Sequence, residues 1–341
     1  MDKIKKFIEI YIPTETCNLR CHYCYITQQR KFNSKLATFT HTPQEIRKAL
    51  SKKRLGGICL LNMCAGGETL LSEDFLPIVK ELLIEGHYIM IVTNGTLTNR
   101  FEEIAQWDQG LFQRLFFKFS FHFLEMKRLK WIEKFVQNVQ LMKKVGASFT
   151  VEITPSDELI PYIDEIKKSC IDSFGALPHI TIARNDRTDG IDILSNYSID
   201  ENKKIWGNFK STLYDYKMEI YHVKRNEFCY AGDWSIYVNL ETGDMKQCYC
   251  GKELDNIYKN IDKPLYFKAI GKKCTLPYCY NGHAFLSLGV IPELHSPTYA
   301  TLRNRVCDDG TEWLQHSMKE FFNSKLNESN RQYGIIKKIL N

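Results

Sequence analysis

Three observations predict an α/β chain with a cysteine-bearing module behind it. Between residues 7 and about 185, short apolar runs alternate six times with longer amphipathic stretches. That is the rhythm of βα units on a parallel sheet, whose buried strands read as nearly continuous apolar runs. The loop after the first run holds three cysteines within eight residues, and a second cysteine group begins at Cys229. Successive βα units with right-handed crossovers curl into a barrel or an open sheet. The expected division is therefore a βα domain over 1–185, a connector over 186–228, a cysteine module over 229–283 and a helical extension over 284–341.

The first strand is expected at 7–12, with Cys17-Asn18-Leu19-Arg20-Cys21-His22-Tyr23-Cys24 following at its C-terminal end, where α/β folds place their chemistry. Thr42-Pro43-Gln44-Glu45 reads as an N-cap, a first-turn proline and an early acid, opening a helix to about residue 53. A second strand at 58–63 runs into Cys64-Ala65-Gly66-Gly67-Glu68. Two glycines there let backbone approach a ligand, and Glu68 offers an acceptor for an ammonium group. A helix over 74–85 leads to a third strand at 88–92 ending in Thr93-Asn94-Gly95, a sharp turn. The fourth strand, 115–119, ends at Ser120 and His122, and a basic helix from Lys127 and Arg128 to about residue 145 follows. The fifth, 148–154, carries Glu152 among apolar neighbours; such a charge is costly unless paired or facing a polar cavity, so it is expected to point inward. A helix over 157–173 and a sixth strand at 179–183 complete the series. The stretch 186–190 reads as a polar turn, and one amphipathic helix is expected over 200–213.

Composition narrows the function classes. Lys and Arg outnumber Asp and Glu by 46 to 40, and the excess of +6 is spread along the chain. That favours an anionic substrate mildly and gives no footprint for nucleic acid. There is no run of 18 apolar residues and no signal-peptide core, so a soluble, cytoplasmic chain without membrane contact is expected. Twelve cysteines in such a compartment point to metal or cluster binding rather than disulfides.

The spacing C-x3-C-x2-C supplies three thiolates and no fourth. A structural zinc or a cubane [4Fe–4S] centre usually takes four protein ligands, so three leave one position open. A zinc site completed by His22 or a distant cysteine is the alternative. With Tyr23 just before the last cysteine, the motif resembles the signature of the radical S-adenosylmethionine (SAM) enzymes. The resemblance implies a partial (βα)6 TIM-like barrel and a [4Fe–4S] cluster on Cys17, Cys21 and Cys24 whose open iron chelates SAM. Reductive SAM cleavage then gives a 5′-deoxyadenosyl radical that takes hydrogen from a substrate. Gly66-Gly67-Glu68 is similar to the family's motif for the SAM amino group. Asn94, Ser120 and Arg128 stand where relatives contact SAM, and Tyr23, Gly66 and Gly67 complete the implied cofactor set. An electron donor such as flavodoxin or ferredoxin is implied as partner.

In the second cysteine group, strands at 235–240 and 245–247 flank the turn Glu241-Thr242-Gly243-Asp244, a hairpin that draws Cys229 and Cys248 together. With Cys274 and Cys279 these suit a four-thiolate centre. The segment resembles the short "twitch" form of the SPASM auxiliary module, implying one auxiliary [4Fe–4S] cluster; Cys250 is a possible alternative ligand, and zinc the structural alternative. The substrate is expected at the barrel mouth. Because the first strand starts near residue 7, little room is expected for a preceding peptide-recognition domain, which tilts the reading toward oxidation or other modification of a small or sugar-like molecule. A ribosomal-peptide-modifying enzyme (crosslinking, epimerisation or maturation) is the alternative, and a non-catalytic zinc or iron–sulfur scaffold the alternative of another class. Tyr25, Cys64, His122 and Glu152 are candidates to approach the reacting groups. Cys59, Cys64 and Cys170 are read as small buried hydrophobes, and 284–341 as packing and surface.

Overall fold

A computed structural model describes residues 2–188, 191–279 and 282–340. Asp189 and Gly190 of the expected polar turn lie outside them. Nine strands form one sheet: β1 Lys6–Ile12, β2 Cys59–Ala65, β3 Tyr88–Thr93, β4 Leu115–Ser120, β5 Ser148–Ile153, β6 His179–Ile180, β7 Ser235–Asn239, β8 Asp244–Lys246 and β9 Glu253–Asn256. Their order is β6-β5-β4-β3-β2-β1-β7-β8-β9. The first six run parallel, as the βα rhythm predicts, with Lys6 opposite Cys59 and Ile12 opposite Ala65 at the centre. The hairpin β7–β8 is not a detached module: β7 pairs in parallel with β1, Ile8 opposite Ile236, and extends the sheet.

Alternation along each strand divides the two faces. One face (Ile8, Ile10, Leu61, Met63, Ile89, Ile91, Phe117, Phe119, Phe149 and Val151) is covered by helices such as Pro43–Ala49, Phe75–Glu85 and Ile132–Lys144. On the other face Phe7, Leu60, Tyr88, Met90 and Phe116 pack against residues 284–326. Tyr88 stacks on Phe321 at 3.7 Å and Phe7 meets Phe285 edge-on at 4.9 Å. The extension over 284–341 therefore plugs the sheet's inner face. Above this plug the inner face turns polar, with Glu9, Asn62, Lys118 and Glu152.

Several element bounds differ from expectation for local reasons. Thr42 is the expected N-cap and makes a capping box with Glu45, but the helix stops at Ala49 and resumes as Lys52–Leu55. The basic helix is split into Phe123–Leu129 and Ile132–Lys144 at Lys130, and the expected helix over 200–213 becomes Ile199–Gly207 and Thr212–Ile220 around Lys210; both lysines have positive φ. The sixth strand shrinks to two residues. β9 is polar and carries no apolar signal. Among the described residues no helix is long and apolar enough to cross a membrane.

Candidate active site

The three thiols of the loop after β1 line one cavity of about 150 Å³ with Gly66, Gly67, Glu68, Thr93, Asn94, Ser120 and His122. The loop is held from several sides. The amides of Gly67 and Glu68 donate to the carbonyls of Thr14 and Thr16 at 2.5 and 3.0 Å. A methyl on Gly67 would sit 2.0 Å from the Thr16 oxygen, and one on Gly66 would sit 2.9 Å from the Tyr25 hydroxyl. Both glycines thus let the segment ahead of Cys17 lie against the end of β2. Asn94 donates to Asn18 at 2.7 Å and lies 3.8 Å from the Cys17 sulfur. Burial raises all three thiols, Cys17 to about 11. Thiols so placed favour a bound cation, because ligation offsets the cost of the buried thiolate. Among the described residues no fourth cysteine lines this cavity, so the donor set fits a cluster with an open position.

Glu68 is 2% exposed and already accepts from the Thr93 hydroxyl (2.6 Å) and the amides of Asn94 (2.7 Å) and Leu70 (3.0 Å). It ties the ends of β2 and β3 together. A carboxylate has about four acceptor sites, so three donors leave one for a ligand. Burial raises its pKa despite these bonds. Tyr25 donates to the Gly66 carbonyl at 2.7 Å, which commits its hydroxyl to the loop. The structure does not bring Arg128 to this cavity: its side chain is 61% exposed and forks onto Glu125, which in turn accepts from the Arg20 amide. A two-turn helix after β4, Phe123–Leu129, ended by Lys130, points it outward.

A second cavity of about 320 Å³ opens over the polar part of the inner face. It shares Cys24, Val92 and His122 with the first. His122 sits at that junction. Burial pushes its pKa down to about 4, so the imidazole is neutral. Tyr23 Oη lies 2.7 Å from its Nδ1; with the phenol donating, the ring proton is on Nε2. Glu152 points inward, as expected, and is 3% exposed. It pairs with Lys118 at 3.1 Å and, against expectation for the extension, with Arg303. Sequence reasoning also missed Glu9, whose carboxylate accepts from Asn62 Nδ2 at 2.8 Å and from the Tyr249 hydroxyl. Burial raises Glu9 to about 7 and lowers Lys118 to about 8. Cys64 lines this cavity and is only half-buried, unlike Cys59 and Cys170, which are buried.

All five thiols of the second group, Cys229, Cys248, Cys250, Cys274 and Cys279, line a third, apolar cavity. Cys250 and Cys274 both face it, so the geometry keeps both as ligand choices. Tyr249, between two of these cysteines, lines this cavity and the second one. Among the described residues no three His, Cys, Asp or Glu side chains close on a point that would hold a single metal ion.

Residues 11–155 match the family model described as the radical SAM superfamily. The chain is 28% identical over 102 residues to the 7-carboxy-7-deazaguanine synthase of Aquifex aeolicus, and 29% over 91 residues to that of Thermoplasma acidophilum. Those segments are 30% and 27% of this chain and span only 42% and 39% of the curated relatives. The crystal structure of Streptococcus suis SuiB bound to S-adenosylmethionine superposes with a TM-score of 0.53 at 15% identity, covering 77% of this chain and 67% of SuiB. Native anSMEcpe with bound AdoMet gives 0.51 at 16% identity, over 74% of this chain and 78% of that one. At such identities the likeness is one of fold. The matched family model covers less than half of this chain, and the solved structures share its fold.

Proposed function

We propose that this chain is a radical SAM enzyme that modifies a small molecule held in the cavity beside its SAM site. One observation carries the reading: the Cys17–Cys24 thiols, the Gly66-Gly67-Glu68 turn, Asn94 and Ser120 line one cavity, and a second, charged cavity shares Cys24, Val92 and His122 with it. Cys17, Cys21 and Cys24 would hold a [4Fe–4S] cluster, and four of Cys229, Cys248, Cys250, Cys274 and Cys279 an auxiliary one. The cluster and SAM supply the reducing electron and the carbon radical. The protein's residues do the rest. Glu68 keeps one acceptor site for the SAM ammonium, and Asn94 and Ser120 line the space for the rest of the cofactor. The plug from 284–326 closes the inner face from below, which keeps bulk water from that side of the reacting groups. His122 offers a donor at the junction of the two cavities.

The decisive experiment is anaerobic reconstitution followed by iron and sulfide analysis, dithionite reduction and addition of SAM. About eight irons per chain, as two cubanes require, with 5′-deoxyadenosine formed by the wild type and lost in Cys17→Ala, is the expected result. Zinc without iron and no SAM binding would sink the proposal in favour of a scaffold. About four irons with cleavage intact would remove the auxiliary cluster alone. Crystal structures of SuiB with the precursor peptide SuiA and of anSMEcpe with the Cp18Cys peptide share the fold. Product formation from a peptide and from no small molecule would replace the small-molecule substrate with a peptide.

A further inference from the structure

The second cavity is lined by more charge than its own ion pairs use. Its cations are Lys118, Arg184, Lys217 and Arg303; its anions are Glu9 and Asp186, with Glu152 just beneath the surface. Lys118 and Arg303 share Glu152, and Arg184 lies 3.8 Å from Asp186. Lys217 is left over. It is 9% exposed, and among the described residues its one hydrogen bond goes to the Thr181 hydroxyl at 2.5 Å, with no carboxylate against it. An ammonium has three donors, so two remain. A buried cation without a counter-ion is costly, and burial, with Lys118 and Arg184 nearby, lowers the Lys217 pKa well below the usual lysine range; an anion beside it would restore the charged form.

Two further donors point the same way. Arg303 Nη2 lies 2.9 Å from His283 Nε2. A guanidinium can only donate, so His283 accepts at Nε2 and carries its proton on Nδ1. That Nδ1–H is buried and has no partner, and neither has the Arg303 Nε–H. Both side chains line the same cavity as Lys217. Lys217 is near enough to His283 to depress its basicity, along with burial. The cavity thus brings together side chains from three elements, Lys217 on the helix Thr212–Ile220, His283 at the start of the helix His283–Ser287 and Arg303 at the end of the helix Tyr299–Arg303, the last two with buried, unpaired N–H groups. Four basic side chains stand against three carboxyls, and burial raises the Glu9 pKa to about 7 while lowering those of Lys118 and Lys217.

We propose that the substrate carries a carboxylate, bound as a monoanion by Lys217 with His283 Nδ1–H and Arg303 Nε–H beside it. A carboxylate's single charge and two acceptor oxygens match one ammonium with two donors to spare. The inference rests on the proposed function only in taking this cavity as the substrate's.

Calorimetry on the reconstituted full-length chain tests it with sodium benzoate, its neutral isostere benzamide, and inorganic phosphate. Benzoate is expected to bind once per chain, at least tenfold tighter than benzamide and tighter than phosphate. Lys217→Met should weaken benzoate at least tenfold, and Lys217→Arg should retain most of the binding. Equal binding of benzoate and benzamide by the wild type overturns the proposal without any variant; so does phosphate in preference to benzoate. If Lys217→Met weakens SAM binding as much as benzoate binding, the cations serve the cofactor's carboxylate and the proposal also fails. SAM cleavage by the same wild-type preparation keeps the two ideas apart. Benzoate selectivity without cleavage removes the radical reading and leaves the anion site; cleavage without selectivity does the reverse.

Discussion

A methyl group on Gly67 would lie 2.0 Å from a backbone oxygen, not from a side chain that can swing away. Gly67→Ala should therefore shift the Cys17–Cys24 loop and cost about 1–3 kcal/mol, the usual range for overpacking. Fewer irons retained per chain and a lower melting temperature are expected; full iron content at the wild-type Tm would contradict this account. Glu9 yields a pH prediction. Its folded pKa is raised to about 7 by burial. Below about pH 4.5 the carboxyl is protonated whether folded or unfolded. Between there and pH 7 the unfolded chain releases its proton first, so stability falls as pH rises, by on the order of 3 kcal/mol, and then levels off. Urea unfolding of wild type and Glu9→Gln at pH 5 and pH 8 should show the variant gaining on the wild type at the higher pH. Glu9 and Lys118 were legible by the reasoning that picked out Glu152: each is a charge inside an apolar strand. Lys217, His283 and Arg303 were not, because a helical or loop residue with a charge gives no such signal.

At the level of the element, Ser211 does the work of a longer sixth strand. Its buried hydroxyl accepts from the amides of Ile180 (3.0 Å) and Tyr214 (3.2 Å) and lies 3.2 Å from His179 Nδ1. It fastens a two-residue edge strand to the N-cap of the helix beside it. Ser211→Ala leaves two buried donors unmet and should cost about 1–3 kcal/mol, read as a lower urea midpoint. Hydrogen exchange at the Ile180 amide should speed up relative to β3; unchanged protection there would refute the fastening role. The strands β1 to β5 were readable to within a residue or two because parallel strands buried on both faces leave long apolar runs. The Thr42 box was readable because its chemistry is local. The breaks at Lys130 and Lys210 were not. A non-glycine residue held at positive φ is set by packing on either side, and nothing in its own sequence announces it.

Across the whole molecule, the extension that sequence alone assigns to packing and surface supplies the plug of the sheet and a charge inside it. Arg303 is 2% exposed and pairs with Glu152 from a strand some 150 residues earlier. Glu152 keeps Lys118 at 3.1 Å when Arg303 is removed, so Arg303→Met should cost less than the about 3–5 kcal/mol of stranding a buried charge, while Glu152→Leu, which strands both cations, should cost at least that much. Denaturant unfolding of the two variants checks the order; equal losses would mean that Lys118 does not hold Glu152. Contacts over such separations leave no local pattern to read. The likeness to radical SAM sequences was legible for a different reason: each of its motifs is a short contiguous run, Cys17–Cys24, Gly66-Gly67-Glu68 and Thr93-Asn94-Gly95.

The pairing of β1 with β7 has a further consequence, for the chain as it is being made. β1 finds β2 soon after it leaves the ribosome, but its other edge waits for residues 235–239. At bacterial or eukaryotic elongation speeds of about 5–20 residues per second, that edge stays bare for roughly 10–50 seconds. It is apolar, and it leads directly into the thiol loop. A nascent chain stalled near residue 230 should be protease-sensitive around Cys17, and one stalled past residue 290 less so, although its inner face still lacks the plug; equal resistance at both lengths would show that the edge is covered by other means. Translation speed would then govern how long these thiols stay open to iron delivery and to oxidation.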